Sequence, residues 1–183
     1  MIIFAFDKNF KKMKKIFLLL AVAISLYSCG GDKKKENAAE TETVVTDKYN
    51  VVLDAIYEKD DSIVVFYQTD KFFQYEKPTS LKIKGSPLMQ RLTINLPEGI
   101  AIENLSITTS TNKAQDFITI KSLSVFNDKT VVIDGSNGKY SESFLTDPSF
   151  SWDLKNSRYN LNHKNEYPPS IVGNAKLSDL LIK

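Results

Sequence analysis

One cysteine, one histidine and one tryptophan are found among the 183 residues. With Cys29 alone, no disulfide can form within the chain, so stability must come from an apolar core. The single histidine, His163, lies between Asn162 and Lys164 in a polar stretch and reads as a surface residue. A zinc site needs three or four His, Cys or carboxylate ligands, and a nucleophilic triad needs a base beside a hydroxyl or thiol. This donor pool is too poor for either. Charge of one sign is also lacking. The formal net charge is +2, and no long amphipathic helix or internal repeat is visible. A chain so nearly neutral has no electrostatic footprint for nucleic acid.

One apolar run is present, Ile16-Phe17-Leu18-Leu19-Leu20-Ala21-Val22-Ala23-Ile24, preceded by Met13-Lys14-Lys15. A charged start, an apolar stretch of roughly a dozen residues and a small residue before a cut site make a secretory signal. The run is short of the ~20 apolar residues of a permanent span, and polar residues follow Gly30-Gly31 at once. Leu26-Tyr27-Ser28-Cys29 resembles the lipobox that ends a bacterial lipoprotein signal peptide. The resemblance implies that the Cys29 thiol takes a diacylglyceryl group, that cleavage makes Cys29 the N-terminus, and that its amine is then acylated. Membrane lipid is thus the first expected partner, since several acyl chains anchor firmly where one is marginal. Gly30 rather than Asp follows the cysteine, which by the same resemblance favours the outer over the inner membrane. The periplasmic face and the cell surface both stay open. Met13 begins a complete signal peptide, so the expected start is Met13 or Met1.

Three segments follow: a signal peptide over residues 1–28, a lipidated N-terminus and flexible tether over 29–46, and a folded domain over 47–183. Removing 1–28 with its five lysines and Asp7 leaves 155 residues, 19 basic and 21 acidic, for a net of −2. The tether is low in aromatics and rich in Lys, Glu, Asn, Ala and Thr, a solvated composition.

From Tyr49 the texture becomes short runs of Val, Ile, Thr, Phe and Tyr punctuated by Asp, Asn, Gly and Pro. This predicts strands at Tyr49–Glu58, Ser62–Gln68, Ser80–Lys84, Gln90–Leu96, Asn104–Thr109, Phe117–Phe126 and Thr130–Ile133, with a weaker one at Phe150–Leu154. Leu92, Ile94 and Leu96 alternate with Thr93 and Asn95, as in a strand buried on one face. Apolar parity flips at Lys121-Ser122, which predicts a β-bulge. Asp60-Asp61, Pro97-Glu98-Gly99, Asn127-Asp128 and Asp134-Gly135-Ser136-Asn137-Gly138 read as turns. Leu177, Leu180 and Leu181 predict one closing helical turn. The expected fold class is all-β, a single antiparallel β-sandwich.

The order Asp61–Tyr67, Ser80–Gly85, Met89–Pro97, Ile102–Ile107 and Gln115–Ile120 resembles jelly-roll domains of carbohydrate-binding-module type in bacterial envelope proteins. A strand ending in Leu-Pro is part of that pattern. Thr108-Thr109-Ser110 stands where the pattern usually has an Asp-containing step. Asp61-Ser62-Ile63 also resembles an O-glycosylation acceptor triplet.

Among groups that could carry chemistry, Asp60-Asp61 is a carboxylate pair, expected as solvated turn residues rather than an acid–base couple. Asn127-Asp128 and Asp134 could offer oxygens to calcium, without EF-hand spacing. No cofactor, metal or catalytic residue is expected. The candidate ligand-binding residues are Trp152, Tyr140, Phe150 and Tyr159, with Asp153 and Asn160 as polar partners; Phe72, Phe73 and Tyr75 form a second aromatic group. Core packing is the competing role for all of these rings.

The expected function is a membrane-anchored envelope lipoprotein with a non-catalytic binding or accessory domain, with glycan as one ligand class. The alternatives are a purely structural domain or a protein-interaction domain in an outer-membrane assembly, with an enzyme third. The glycan version predicts exposed aromatics on one face or loop end. The protein version predicts an exposed apolar patch or an unpaired edge strand. The structural version predicts burial of Trp152, Phe72 and Phe73.

Overall fold

The computed structural model describes residues 47–164 and 167–182. The expected signal segment and tether, with Cys29, lie outside the described residues. Strand is the dominant regular structure of the described chain. β1 (Tyr49–Tyr57), β2 (Asp61–Thr69), β3 (Phe72–Phe73) and β4 (Thr79–Ile83) come first. β5 (Ser86–Asn95), β6 (Asn104–Thr108), β7 (Phe117–Asn127) and β8 (Thr130–Ile133) follow. After a 3-10 segment at Ser136–Glu142 come β9 (Phe144–Thr146), β10 (Phe150–Asp153), β11 (Arg158–Leu161) and β12 (Ser170–Gly173). Helix α1 (Ala175–Leu181) closes the chain; the Asn174 side chain accepts from the Lys176 and Leu177 amides at its start.

The first sheet runs β10-β11-β7-β1-β5, with β8 also on β7. The second runs β3-β2-β6-β12-β9, with β4 also on β2. All pairings are antiparallel. The chain crosses between the sheets after β1, β4, β5, β6, β8, β9 and β11, and β1 sits between β5 and β7 while β2 sits between β4 and β6. This is an antiparallel β-sandwich, the fold class expected.

Alternation drives the layering. In β2 the residues Ile63, Val65 and Tyr67 are buried while Ser62, Val64 and Phe66 are only partly so. Ile63, Leu105, Ile107, Ile171, Val51, Leu53, Ile118 and Leu123 meet in one core from both sheets. Each fully buried aliphatic side chain contributes about 1.5–3 kcal/mol. The bulge lies where the parity flip predicted it: Asp54 pairs with Ser122, the next residue Ala55 pairs with Ile120, and Lys121 is the extra residue.

β3, β9, β11 and β12 were not expected from sequence, and β5 starts at Ser86 rather than Gln90. β9, β11 and β12 have four residues or fewer, too few for a period to register. They are strands because neighbours supply their ladders: β11 between β10 and β7, β12 between β6 and β9.

Candidate functional site

The expected ligand-binding residues lie on the β10–β11 hairpin, at one edge of the first sheet. Its register pairs Phe150 with Leu161, Ser151 with Asn160, Trp152 with Tyr159 and Asp153 with Arg158. Tyr159 in turn pairs with Ile118 of β7. Cross-strand partners share a face, so Trp152, Tyr159 and the fully buried Ile118 form one row on the core side. Trp152 is the outermost of the three and overhangs the edge, 51% exposed. Its ring meets Tyr159 edge-on at 4.9 Å between centroids, and Phe150 meets Tyr159 at 5.6 Å and 90°. Both contacts are in the preferred T-shaped range for aromatic pairs. Leu154, at the hairpin tip, is also exposed.

Two parts of the expected platform are arranged differently. Tyr140 is a core residue, 4% exposed, in the 3-10 segment. Its hydroxyl lies 3.1 Å from that of Tyr159, so it supports the shelf from below. Burial, and then the bond to Tyr159, push the Tyr140 hydroxyl far above the usual phenol range. The pleat sends Asp153 and Asn160 to the opposite face from Trp152, because they alternate with it and with Tyr159. On that face Asp153 accepts from the Asn156 amide at 3.1 Å and from Asn156 Nδ2 at 2.6 Å. Arg158 Nε is 3.4 Å from Asp153 Oδ2, and its guanidinium lies over the Phe117 ring at 3.4 Å from the centroid. The Asn156 side chain, with Arg158 adding its charge, holds the Asp153 carboxyl below the usual range. Asp153 thus fixes the hairpin tip.

The backbone of the free edge is the further feature. The Asn162 amide donates to Ser149 O at 2.7 Å, and the Leu161 amide donates to Asp116 O at 2.8 Å. Even-numbered residues of β11 therefore bond β10 and odd-numbered ones bond β7. By the same alternation Ser151 bonds β11, and the Trp152 N–H and C=O point to the open edge beside its own ring.

The second aromatic group is also exposed. Phe72 is 73% exposed, and Tyr75 stacks obliquely on Phe66 at 5.2 Å and on Phe73 at 5.8 Å. Phe66 was not anticipated as part of it; its place in β2 hid it among core positions. Register sets Leu145, Val172, Ser106 and Phe66 in one row across β9, β12, β6 and β2. No outward position on these four strands carries a charge: they are Leu145, Ser170, Val172, Asn104, Ser106, Thr108, Ser62, Val64, Phe66 and Gln68. The outward face of the first sheet differs, with Asp54 and Arg91 as direct cross-strand neighbours.

At one end of the sandwich an open depression of about 510 Å³ is lined by Asp60, Asp61, Ser62, Lys82, Lys84, Thr111 and Asn112. Asp61 is not the solvated turn residue expected from sequence; it opens β2 and is 8% exposed. Its Oδ1 accepts from the Ser62, Thr111 and Asn112 amides at 2.7, 2.8 and 3.0 Å, and its Oδ2 accepts from Ser110 Oγ at 2.6 Å. The strand after the turn carries it inward, and the 109–112 loop folds onto it. Thr108-Thr109-Ser110 provides the hydroxyl end of this anchor. Asp60 is tied to Lys84 at 2.7 Å and to the Gly85 amide at 2.8 Å. The salt bridge to Lys84 and the Gly85 bond hold its carboxyl below the usual range. Both carboxylates thus anchor loops.

His163 is half-buried rather than on the surface. Its Nε2 lies 2.7 Å from Gln115 O, a carbonyl that can only accept, so Nε2 carries the hydrogen. Tyr167 donates to Thr111 O and packs beside the His163 ring at 5.4 Å. Among the described residues, no group of three His, Cys, Asp or Glu side chains is placed to hold a metal ion, and no helix is long and apolar enough to cross a membrane.

Comparison with known proteins gave no match: no family model, no curated protein and no solved structure is similar to this chain.

Proposed function

We propose that this chain is an envelope lipoprotein, held in the outer membrane by acyl chains on Cys29, whose β-sandwich is a non-catalytic domain that binds glycan at Trp152. The observation that carries the glycan reading is the half-exposed ring of Trp152, braced edge-on by Tyr159 at the open edge of a sheet. A pyranose presents a flat C–H face that stacks on such a ring, while its hydroxyls take hydrogen bonds. The outward-pointing N–H and C=O of Trp152 supply one donor and one acceptor beside the ring. A brace fixed by Tyr140 and Phe150 keeps the ring in place before ligand arrives, which lowers the entropic cost of binding. The anchor rests on the lipobox-like Leu26-Tyr27-Ser28-Cys29.

Titration of Trp152 fluorescence with soluble envelope and plant oligosaccharides tests the binding site. At least one glycan class should shift the emission, and calorimetry should lose the corresponding heat in Trp152→Ala. No response across the panel removes the glycan reading. Intact-mass analysis of the protein from native membranes tests the anchor: a diacylated or triacylated Cys29 N-terminus is expected, and a free thiol with the leader attached overturns it.

A second reading, docking of a protein partner, is favoured by the charge-free outward face of β9, β12, β6 and β2, with exposed Val172 and Leu145 on it and exposed Tyr75 packed against Phe66. Interface cores are depleted in charge and enriched in aromatics. Tyr75→Arg distinguishes the two, since it changes this face and leaves the Trp152 shelf untouched.

A further inference from the structure

Among the described residues the longest free edge of the sandwich is β5, and its two halves differ. Near Ser86–Met89 the edge is guarded: Pro87 lacks a donor, and the β1 pairing is irregular between Ala55 and Tyr57. Such features are the usual protection against edge-to-edge association. From Gln90 to Asn95 the pairing with β1 is regular, and the one charge is Arg91. The Leu96 amide donates to Tyr49 O at 2.9 Å, so Ile94, Leu92 and Gln90 bond β1 by alternation. Arg91, Thr93 and Asn95 therefore direct their N–H and C=O groups away from the sheet, and their side chains are exposed. The other edge strands are shorter: β4 has five residues, β10 and β8 four each, β9 three and β3 two.

We propose that β5 pairs antiparallel with β5 of a second copy of this chain, about a two-fold axis at Thr93. In this register Thr93 faces Thr93 of the partner copy, and Arg91 faces the partner's Asn95 in both directions. All three outward residues then form reciprocal hydrogen-bonded pairs, six new backbone bonds in all by the antiparallel pattern. The charge pattern suits this register, because each guanidinium meets a neutral amide rather than its like. Asp54, its cross-strand neighbour on β1, already balances it within each copy. The partner's second sheet is not involved, and the core-facing Leu92 and Ile94 stay where they are. The guarded Ser86–Met89 half falls beyond the paired segment, opposite the partner's chain after Leu96. Isologous pairing of this kind closes after two copies. If Trp152 is the glycan site, the joined sheet carries one such site at each outer edge, on the order of 40 Å apart at ~4.8 Å per strand.

Cysteine cross-linking of the full chain in its native membrane, with the parent chain on the same non-reducing gel, tests the register. Thr93→Cys should give a disulfide-linked dimer absent from the parent, since hydrogen-bonded antiparallel partners have Cα atoms about 5.5 Å apart. Arg91→Cys alone and Asn95→Cys alone should not, because identical positions then lie about 14 Å apart along the strands. Co-expressed Arg91→Cys and Asn95→Cys chains should cross-link. Thr93→Pro removes an outward amide without touching a β1 bond, so it should abolish dimers in sedimentation of the detergent-solubilised protein while the melting temperature holds. Equal cross-linking at all three positions, no cross-link at Thr93, or dimers persisting in Thr93→Pro each overturn the proposal.

Discussion

Tyr57 Oη donates to the carbonyl of Thr109 at 2.8 Å from a side chain with no exposed surface. This bond ties the end of β1 to the loop that carries the Asp61 anchor. Burial raises the phenol far above its ordinary value of 10.0, and the nearby negative charge of Asp61 adds to the effect. The sign of the pH dependence follows. Below about pH 10 both folded and unfolded forms keep the proton. Above it the unfolded chain releases its proton and the folded chain does not, so stability falls as pH rises. Chemical denaturation should therefore show a decline that starts near pH 10. Tyr57→Phe should cost about 1–2 kcal/mol at neutral pH by leaving Thr109 O unpaired, and should flatten that decline. An unchanged alkaline slope in Tyr57→Phe would count against this role.

Asp61→Ala should be among the more damaging changes at this end of the sandwich. It removes an acceptor for three amides and a hydroxyl and leaves them partly buried. A loss of about 3 kcal/mol is expected, roughly 10 °C in melting temperature for a domain of this size. Asp60→Ala, one residue away, loses an exposed ion pair with Lys84 and should melt close to the parent. Paired thermal melts of the two variants give the comparison.

The contrast between Asp60 and Asp61 shows where sequence reading stops. Strand class, the bulge at Lys121 and the closing turn of helix are local or periodic, and each was visible as alternation or a parity flip. Asp60-Asp61 reads as a turn from composition. Only the tertiary path of the 109–112 loop decides that one carboxylate is buried and its neighbour exposed. The hairpin at Trp152 divides the same way. Its aromatic content was visible, but β11 was not, and without β11 the pleat that parts Trp152 from Asp153 and Asn160 cannot be drawn. Tyr140 was misassigned for a related reason: its burial comes from a 3-10 segment folded against β7, and no period marks that.

Gly135 and Gly138 should respond differently to alanine. A Cβ on Gly135 would lie 1.8 Å from Leu123 O, a backbone atom that cannot turn aside. A Cβ on Gly138 meets nothing within 4 Å, and only its φ of +81° resists substitution. Gly138→Ala should cost about 1 kcal/mol, the usual penalty for a left-handed alanine. Gly135→Ala should cost several times more, because β7 and the 3-10 segment must separate. Urea denaturation of both variants measures the difference, and equal losses would contradict the close packing at Leu123.

Trp152 gives an optical test of the shelf because it is the only tryptophan in the chain. A half-exposed indole should be quenched by acrylamide more than a core indole and less than the unfolded chain. Truncation should be mild for so large a ring: about half of its area is in contact, so Trp152→Ala should cost about 1–2 kcal/mol. Tyr140→Ala, which empties a core position and removes the hydroxyl partner of Tyr159, should cost about 3–5 kcal/mol. In Tyr140→Phe only that hydroxyl is lost, so the fold should persist while Tyr159 loosens and acrylamide reaches Trp152 more readily. If Tyr140→Phe leaves the quenching constant unchanged, the Tyr140–Tyr159 bond does not brace the indole, and the rigidity of the shelf must come from Phe150 alone.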